Sequence, residues 1–348
     1  MDFLNILNNV WPYAVAIVCF LLLILIHEGG HFIAAKLLGV QVNEFSIGFG
    51  PKLIKKQIGD TLYSVSLLPF GGFCSMEGED ETSQNPRAFC NKKPWRRLII
   101  TAMGAMFNLI FGLILIVILL IPGELFTSTT VANFSENATS RNYGLQENDQ
   151  IIGVDGRYIF SSYDLSYAFT NIDDGKIDIT VKRDGERVLL KDVEFESEEY
   201  EGITYLSVDF SVYGEEKTIL NFAKYTVKTA CAYCAVIYRS LFDLLAGKYG
   251  ISAVSGPVGI TRVMGNAAKQ DLLNLLPIMA LITINLGLFN LLPIPALDGG
   301  RIVFIMLEML LRRPVAKKYE PYVHGIGFAV LIIFMILICI KDIISLFV

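Results

Sequence analysis

His27-Glu28-Gly29-Gly30-His31 forms an H-E-x-x-H pentad. Two histidines four residues apart share one face of a helix, so both rings can reach a single metal ion. The glutamate beside them can accept a proton from a water that the metal activates. The pentad closes an uninterrupted apolar run, Ala14 to Ile26. Two histidines and a glutamate inside a membrane span are costly unless they have partners or a task. The plainer reading is a polar helix end at the membrane interface. Gly29 and Gly30 are poor helix formers, and small residues there let a substrate backbone or a neighbouring helix come close.

A catalytic zinc takes three protein ligands and leaves one position open for water. By residue type the third ligand is His324, the remaining histidine, or Asp298 in the stretch Asn290-Leu-Leu-Pro293-Ile-Pro295-Ala-Leu-Asp298-Gly299-Gly300. Asp298 is the better candidate, because a lone histidine at the start of an apolar stretch is more often an interfacial residue. Thirteen residues of helix at ~1.5 Å each put His27 ~20 Å below the outer surface of a ~30 Å hydrocarbon core, close to the depth expected for Asp298. Pro293 and Pro295 must break their helix, and backbone groups freed inside a membrane need protein or water as partners. That argues for a water-accessible cavity at that depth. Asn285 and Asn290, in the same span, can hydrogen-bond a substrate backbone or a neighbouring helix.

These residues need a membrane scaffold, and the composition supplies one. Of 348 residues, 53% are hydrophobic and only 18% charged, with a mean hydropathy of +0.51. That excludes a disordered chain, a coiled coil and an ordinary soluble domain, a soluble zinc protease included. A net charge of −5 gives no basic face for nucleic acid. Four stretches reach the ~20 apolar residues that a spanning helix needs: Ala14 to about Leu38, Leu98–Ile121, Leu272–Leu297 and Val323–Ile340. Nine Lys and Arg lie in 36–97 and five in 299–322, whereas 124–271 holds 14 basic against 22 acidic residues. The positive-inside rule therefore puts 36–97 and 299–322 in the cytoplasm, with both termini and 124–271 outside. No Lys or Arg precedes Lys36, so the start does not read as a signal peptide. A metal transporter would carry acidic and histidine residues along several spans, and they are missing.

Between the first two spans, Val40–Ile47 and Thr61–Leu68 read as strands, the second followed by Pro69 and the Gly71-Gly72 turn. They are too apolar for a solvated loop, which predicts a small sheet, 39–76, against the membrane side of the first helix. Residues 127–212 alternate strand-like runs with turns such as Asp184-Gly185 and read as one small external domain. Residues 213–271 connect it to the third span, with a basic, amphipathic helix over 217–246 that suits a membrane surface. The protease core would be 1–126 and 272–348. Cys231 and Cys234 form a lone CxxC with no second pair, a weak metal or redox signal, and the other four cysteines are too scattered for a disulfide framework.

Several motifs together resemble the site-2 protease family of intramembrane zinc metalloproteases, in its bacterial branch that cleaves anti-sigma factors and signal-peptide remnants. They are HEGGH at 27–31, SIGFGP at 46–51, LLPFGGF at 67–73, Lys93-Pro94-Trp95-Arg96-Arg97, the GxxxN of Gly104–Asn108, SGPVGI at 255–260 and NLLPIPALDGG at 290–300. Each alone is weak to moderate, but their order across nearly the whole chain is specific. The resemblance implies an α-helical polytopic membrane protein with four transmembrane helices, a membrane-re-entrant β-sheet and one inserted extracytoplasmic PDZ-like α+β domain. It implies one zinc held by His27, His31 and Asp298, with Glu28 as general base. It implies substrate contacts from Asn285, Asn290, Gly104 and Asn108. Tyr143–Ile151 resembles the carboxylate loop of a PDZ domain, with Gly144 and Leu145 as its binding residues, although Glu147-Asn148 replaces the usual Pro-Gly. Such a domain could bind a peptide tail or filter substrates by size. The partners implied are single-pass membrane proteins in a bacterial cytoplasmic membrane. The competing class is a catalytically silent membrane scaffold acting through its PDZ-like domain.

Overall fold

The structure, a computed structural model, describes residues 3–170, 172, 175–200, 203–247, 254–312 and 320–345. Arg313, Lys317 and Lys318, three of the basic residues counted in the 299–322 loop, lie outside the described residues. The chain divides into two units, Met1–Leu115 with Gly247–Val348, and Ile116–Ala246. Four described helices are long and apolar enough to cross a membrane, at Val10–Leu37, Pro94–Leu120, Leu272–Asn290 and Tyr322–Ile344. With the sheets described below, they fit a polytopic membrane protein.

The first unit opens with α1, Phe3–Leu37. A long antiparallel pair follows, β1 at Val42–Ile58 and β2 at Thr61–Met76. Both strands are longer than the sequence suggests, because the turn-like residues around Gly48–Pro51 and Leu68–Gly71 bend the strands without ending them. The register shows the consequence. Phe45 pairs with both Tyr63 and Cys74, while Lys55 and Lys56 pair with Ser64 and Tyr63. The two bent strands thus make a curled sheet of four segments, with 52–58 at one edge and 72–76 at the other. The 72–76 edge has no further strand partner among the described residues. α2, Pro94–Leu120, then packs on α1, where a Cβ at Gly30 would stand 2.4 Å from the Met103 carbonyl oxygen. Ala34, Ala35, Val42, Cys74, Met76, Phe89 and Ile100 form one buried cluster that locks α1, the sheet and α2 together.

The second unit is built on a six-stranded sheet. Its strands are β3 (Leu125–Phe134), β4 (Gln150–Val154), β5 (Arg157–Tyr158), β6 (Lys176–Arg183), β7 (Glu186–Glu194) and β10 (Phe210–Glu216). The order is β10-β3-β4-β6-β7, with β5 on β4, and β8 (Ser197–Tyr200) pairs β9 (Ile203–Leu206). A short helix, α3 at Ser162–Ala168, is capped at both backbone and side chain by Ser161 and Asp164. The core includes Val131, Leu145, Ile151, Ile179, Val181 and Phe210. α4, Ile219–Leu245, belongs to this unit. Tyr233 stacks on Tyr163 at 4.2 Å, and the buried Asp243 takes a two-pronged ion pair from Arg157 at 2.8 and 3.0 Å.

The chain then returns to the first unit through α5, Pro257–Gln270, and α6, Leu275–Asn290. α6 stops at Asn290, seven residues short of the Leu297 expected for the third span. Pro293 and Pro295 cannot donate to a helical ladder, and 291–297 instead folds into successive tight turns, with Ile294 N–H on Leu292 O and Leu297 N–H on Ile294 O. α7, Asp298–Leu311, starts directly afterwards, and α8, Glu320–Ile344, closes the chain. Along α8, Ile326, Phe328, Val330 and Ile333 are exposed, as lipid-facing side chains should be.

Candidate metal centre

The first unit holds a three-residue cluster of metal-ligating type, His27, His31 and Asp298. α1 brings His27 and His31 to one face, one turn apart, with the rings edge-on at 4.9 Å between centroids. Asp298 arrives on the first residue of α7, where the helix N-terminus favours a carboxylate. That placement depends on the two following glycines. A Cβ at Gly299 would stand 2.1 Å from the Leu292 carbonyl oxygen, and one at Gly300 2.5 Å from that of Ile294. The first turn of α7 is therefore pressed onto the proline-bearing turn.

The three ligand atoms form a nearly equilateral triangle. His27 Nε2 to His31 Nε2 is 3.3 Å, His27 Nε2 to Asp298 Oδ2 is 3.3 Å, and His31 Nε2 to Asp298 Oδ2 is 3.2 Å. A tetrahedral zinc with ligands at ~2.0–2.1 Å needs ligand atoms roughly 3.3–3.4 Å apart, so the triangle has the size of one tetrahedral face. The proton positions agree. His31 Nδ1 donates to the Ile100 carbonyl at 2.9 Å, which leaves a lone pair on Nε2. His27 Nδ1 faces the Asn108 amide at 3.3 Å. With Nδ2 toward the ring, Asn108 Oδ1 is buried without a hydrogen bond. With Oδ1 turned toward the ring, it accepts from Nδ1–H and frees the His27 Nε2 lone pair as well. Asp298 Oδ2 is buried and accepts no hydrogen bond. Three lone pairs converging in a buried site repel one another unless a cation lies between them, so the residues present fit zinc.

Glu28 lies close enough to His27, His31 and Asp298 for its charge to act on all three, and its carboxylate forms no hydrogen bond or ion pair with the described residues. Gly72, in the 72–76 edge segment, lies over it: a Cβ there would be 3.6 Å from Glu28 Cγ and 2.9 Å from the Ser46 carbonyl oxygen. Gly104 and Asn108, expected as substrate contacts, are packed against the histidines. A Cβ on Gly104 would stand 2.3 Å from His31 Nε2, and Asn108 is fully buried beside His27. Asn285 is exposed on α6, and Asn290 donates to the Leu286 carbonyl of its own helix at 2.9 Å. His324 is not in the triangle; its Nδ1 accepts the Ala296 N–H.

The sequence gives no signal for two contributors. One is the Ile100 carbonyl, a backbone group available from any residue type. The other is a polar clamp at the site's edge. Arg301, three residues after Asp298, pairs with Glu79, and with Asp80 at 2.6 Å. Burial pushes the Glu79 carboxyl up and the Arg301 guanidinium opposes that shift. In the second unit, the Gly144 carbonyl accepts from Arg183 at 2.7 Å, Arg183 also pairs with the buried Asp149, and Leu145 is fully buried.

Residues 15–334 match the family described as Peptidase family M50. A Clostridium perfringens protein whose name is that of a zinc metalloprotease is 36% identical over 94% of this chain and 97% of its own length. A Clostridium acetobutylicum protein named in the same way is 36% identical over 99% of this chain and 98% of its own. The Bacillus subtilis protein named regulator of sigma-W protease RasP is 28% identical over 95% of this chain and 98% of its own.

Proposed function

This chain belongs to peptidase family M50, and from that premise we propose that it is an intramembrane endopeptidase that cuts transmembrane segments of other proteins. It is a protease, and its cofactor is zinc. The observation that carries the intramembrane reading is the triangle of His27, His31 and Asp298, whose two histidines lie within the apolar helix stretch Val10–Leu37, with Glu28 next to them on the same helix. His27, His31 and Asp298 would hold the ion. When bound, zinc polarises the scissile carbonyl and lowers the pKa of water to ~7.

The chain's own residues supply the rest of the mechanism. Glu28 takes a proton from the attacking water and passes it to the leaving amine nitrogen. Asn108 and the Ile100 carbonyl hold the two imidazoles in the tautomers that this chemistry needs. A transmembrane substrate must unwind before cleavage, because its carbonyls are tied up in helix. The open 72–76 edge, passing Glu28 at Gly72, offers replacement hydrogen bonds by strand addition.

By analogy with the relative named regulator of sigma-W protease, the substrates are single-pass membrane proteins, an anti-sigma factor or a signal-peptide remnant, reached after a first cut. The charge distribution favours both termini and the PDZ-like domain, 127–212, outside the cytoplasmic membrane, the latter filtering by size or holding a peptide end. Replacing Glu28 with Gln tests the reading. The variant should keep its zinc and lose roughly 10²–10⁴-fold in cleavage rate on a reconstituted transmembrane substrate. Cleavage at the wild-type rate would reject Glu28 as the base.

A further inference from the structure

Ala296 lies two residues before Asp298 with φ +76. This left-handed conformation is disfavoured for any residue with a Cβ, and alanine has no polar side chain to stabilise it locally. The turn therefore has to be held from outside, and α8 provides the hold. His324 Nδ1 accepts the Ala296 N–H at 3.0 Å. The same helix closes on the preceding residue at Gly327, where a Cβ would meet Pro295 Cβ at 2.6 Å. The His324 ring sits 5.8 Å from that of Phe304 on α7, so it is wedged between the turn and the helix that the turn launches.

The tautomer is informative. To accept from Ala296, the ring must carry its proton on Nε2, and Nε2 is buried without a hydrogen-bond partner. An unmet buried donor is costly. A ring kept merely for packing would need no such group, since an apolar side chain fills space without it.

We propose that His324 is a positioning residue for the metal centre. By holding the Ala296 amide it keeps the left-handed turn that delivers Asp298 Oδ2 to 3.2–3.3 Å from both histidines. The inference rests on reading Asp298 as a zinc ligand.

The test uses the full-length protein in detergent micelles. Zinc affinity is measured by competition with a chromophoric chelator, and kcat and KM are measured separately on a transmembrane substrate. His324→Leu fills the space without an acceptor. It should weaken zinc binding by roughly 10–100-fold, the range typical of outer partners of metal ligands, and lower kcat with KM changed less than about twofold. His324→Asn puts an amide oxygen near the place of Nδ1 and should restore most of the affinity. Ala296→Gly added to His324→Leu should also recover much of the loss, because glycine takes the left-handed conformation without help. Zinc affinity in His324→Leu within about twofold of wild type would overturn the proposal. So would equal losses in the Leu and Asn variants, which would show a packing role. Asp298→Asn separates the two layers of the argument. Wild-type zinc affinity there overturns the ligand reading itself, whereas a loss there beside an unmoved His324→Leu overturns only the role of His324.

Discussion

At Gly104 the missing side chain makes room for the His31 imidazole, whose Nε2 a Cβ would approach to 2.3 Å. The ring cannot yield without leaving the Ile100 carbonyl that fixes its tautomer. Gly104→Ala should therefore reduce zinc affinity tenfold or more while helix content by circular dichroism stays unchanged; unaltered zinc affinity would show that the ring has slack the structure does not reveal. The case also marks what single residues disclose in a sequence. His27, Glu28, His31 and Asp298 stand out as candidates because their chemistry is in their side chains and the pentad's spacing is that of a helix, and the fold brings His27, His31 and Asp298 together. Gly104 and Asn108 stand out only through the GxxxN resemblance, and residue type does not say which neighbour fills the space or takes the hydrogen bond. The Ile100 carbonyl carries no signal at all.

Elements raise a different problem, because chain bends decide which edges remain open. The sequence marks Gly48–Pro51 and Pro69–Gly72 as breaks, yet β1 and β2 run through them and fold back into four segments. A glycine or proline marks where the chain turns sharply, and pairing beyond the turn depends on a partner that only the fold supplies. The Pro293 and Pro295 break was legible, since proline removes donors wherever it stands. The outcome at the other edge is the passage of Gly72 over Glu28, and it carries a prediction. A leucine at 72 would press on the Ser46 carbonyl oxygen, 2.9 Å from its Cβ, and crowd the Glu28 side chain, 3.6 Å away at Cγ. Gly72→Leu should lower kcat/KM on a transmembrane substrate by at least about tenfold, with zinc remaining at one equivalent by metal analysis. Zinc loss in that variant would instead mean that the edge strand supports the ligands.

For the molecule as a whole, the four helices long and apolar enough to cross a membrane are legible from hydropathy, since no soluble helix needs runs so apolar. The division into Met1–Leu115 with Gly247–Val348, and Ile116–Ala246, was visible only in outline, because α4 is basic and amphipathic enough to read as a free surface helix until Tyr163 and Arg157 are seen against it. Sidedness is decided by neither helix length nor packing; it rests on charge. The segment 36–97 holds nine Lys and Arg, whereas 124–271 carries 22 acidic against 14 basic residues. Basic loops stay on the cytoplasmic side because moving them across costs energy against the membrane potential and the anionic inner leaflet. Gln84 and Glu136 are both exposed and lie in these two segments, so they make a matched pair of reporters. In a background with all six native cysteines replaced and cleavage activity retained, a membrane-impermeant maleimide applied to intact cells should label Glu136→Cys and not Gln84→Cys. After permeabilisation both should react. Labelling of Gln84→Cys in intact cells would invert the proposed orientation and put the loop next to the zinc ligands on the outer face.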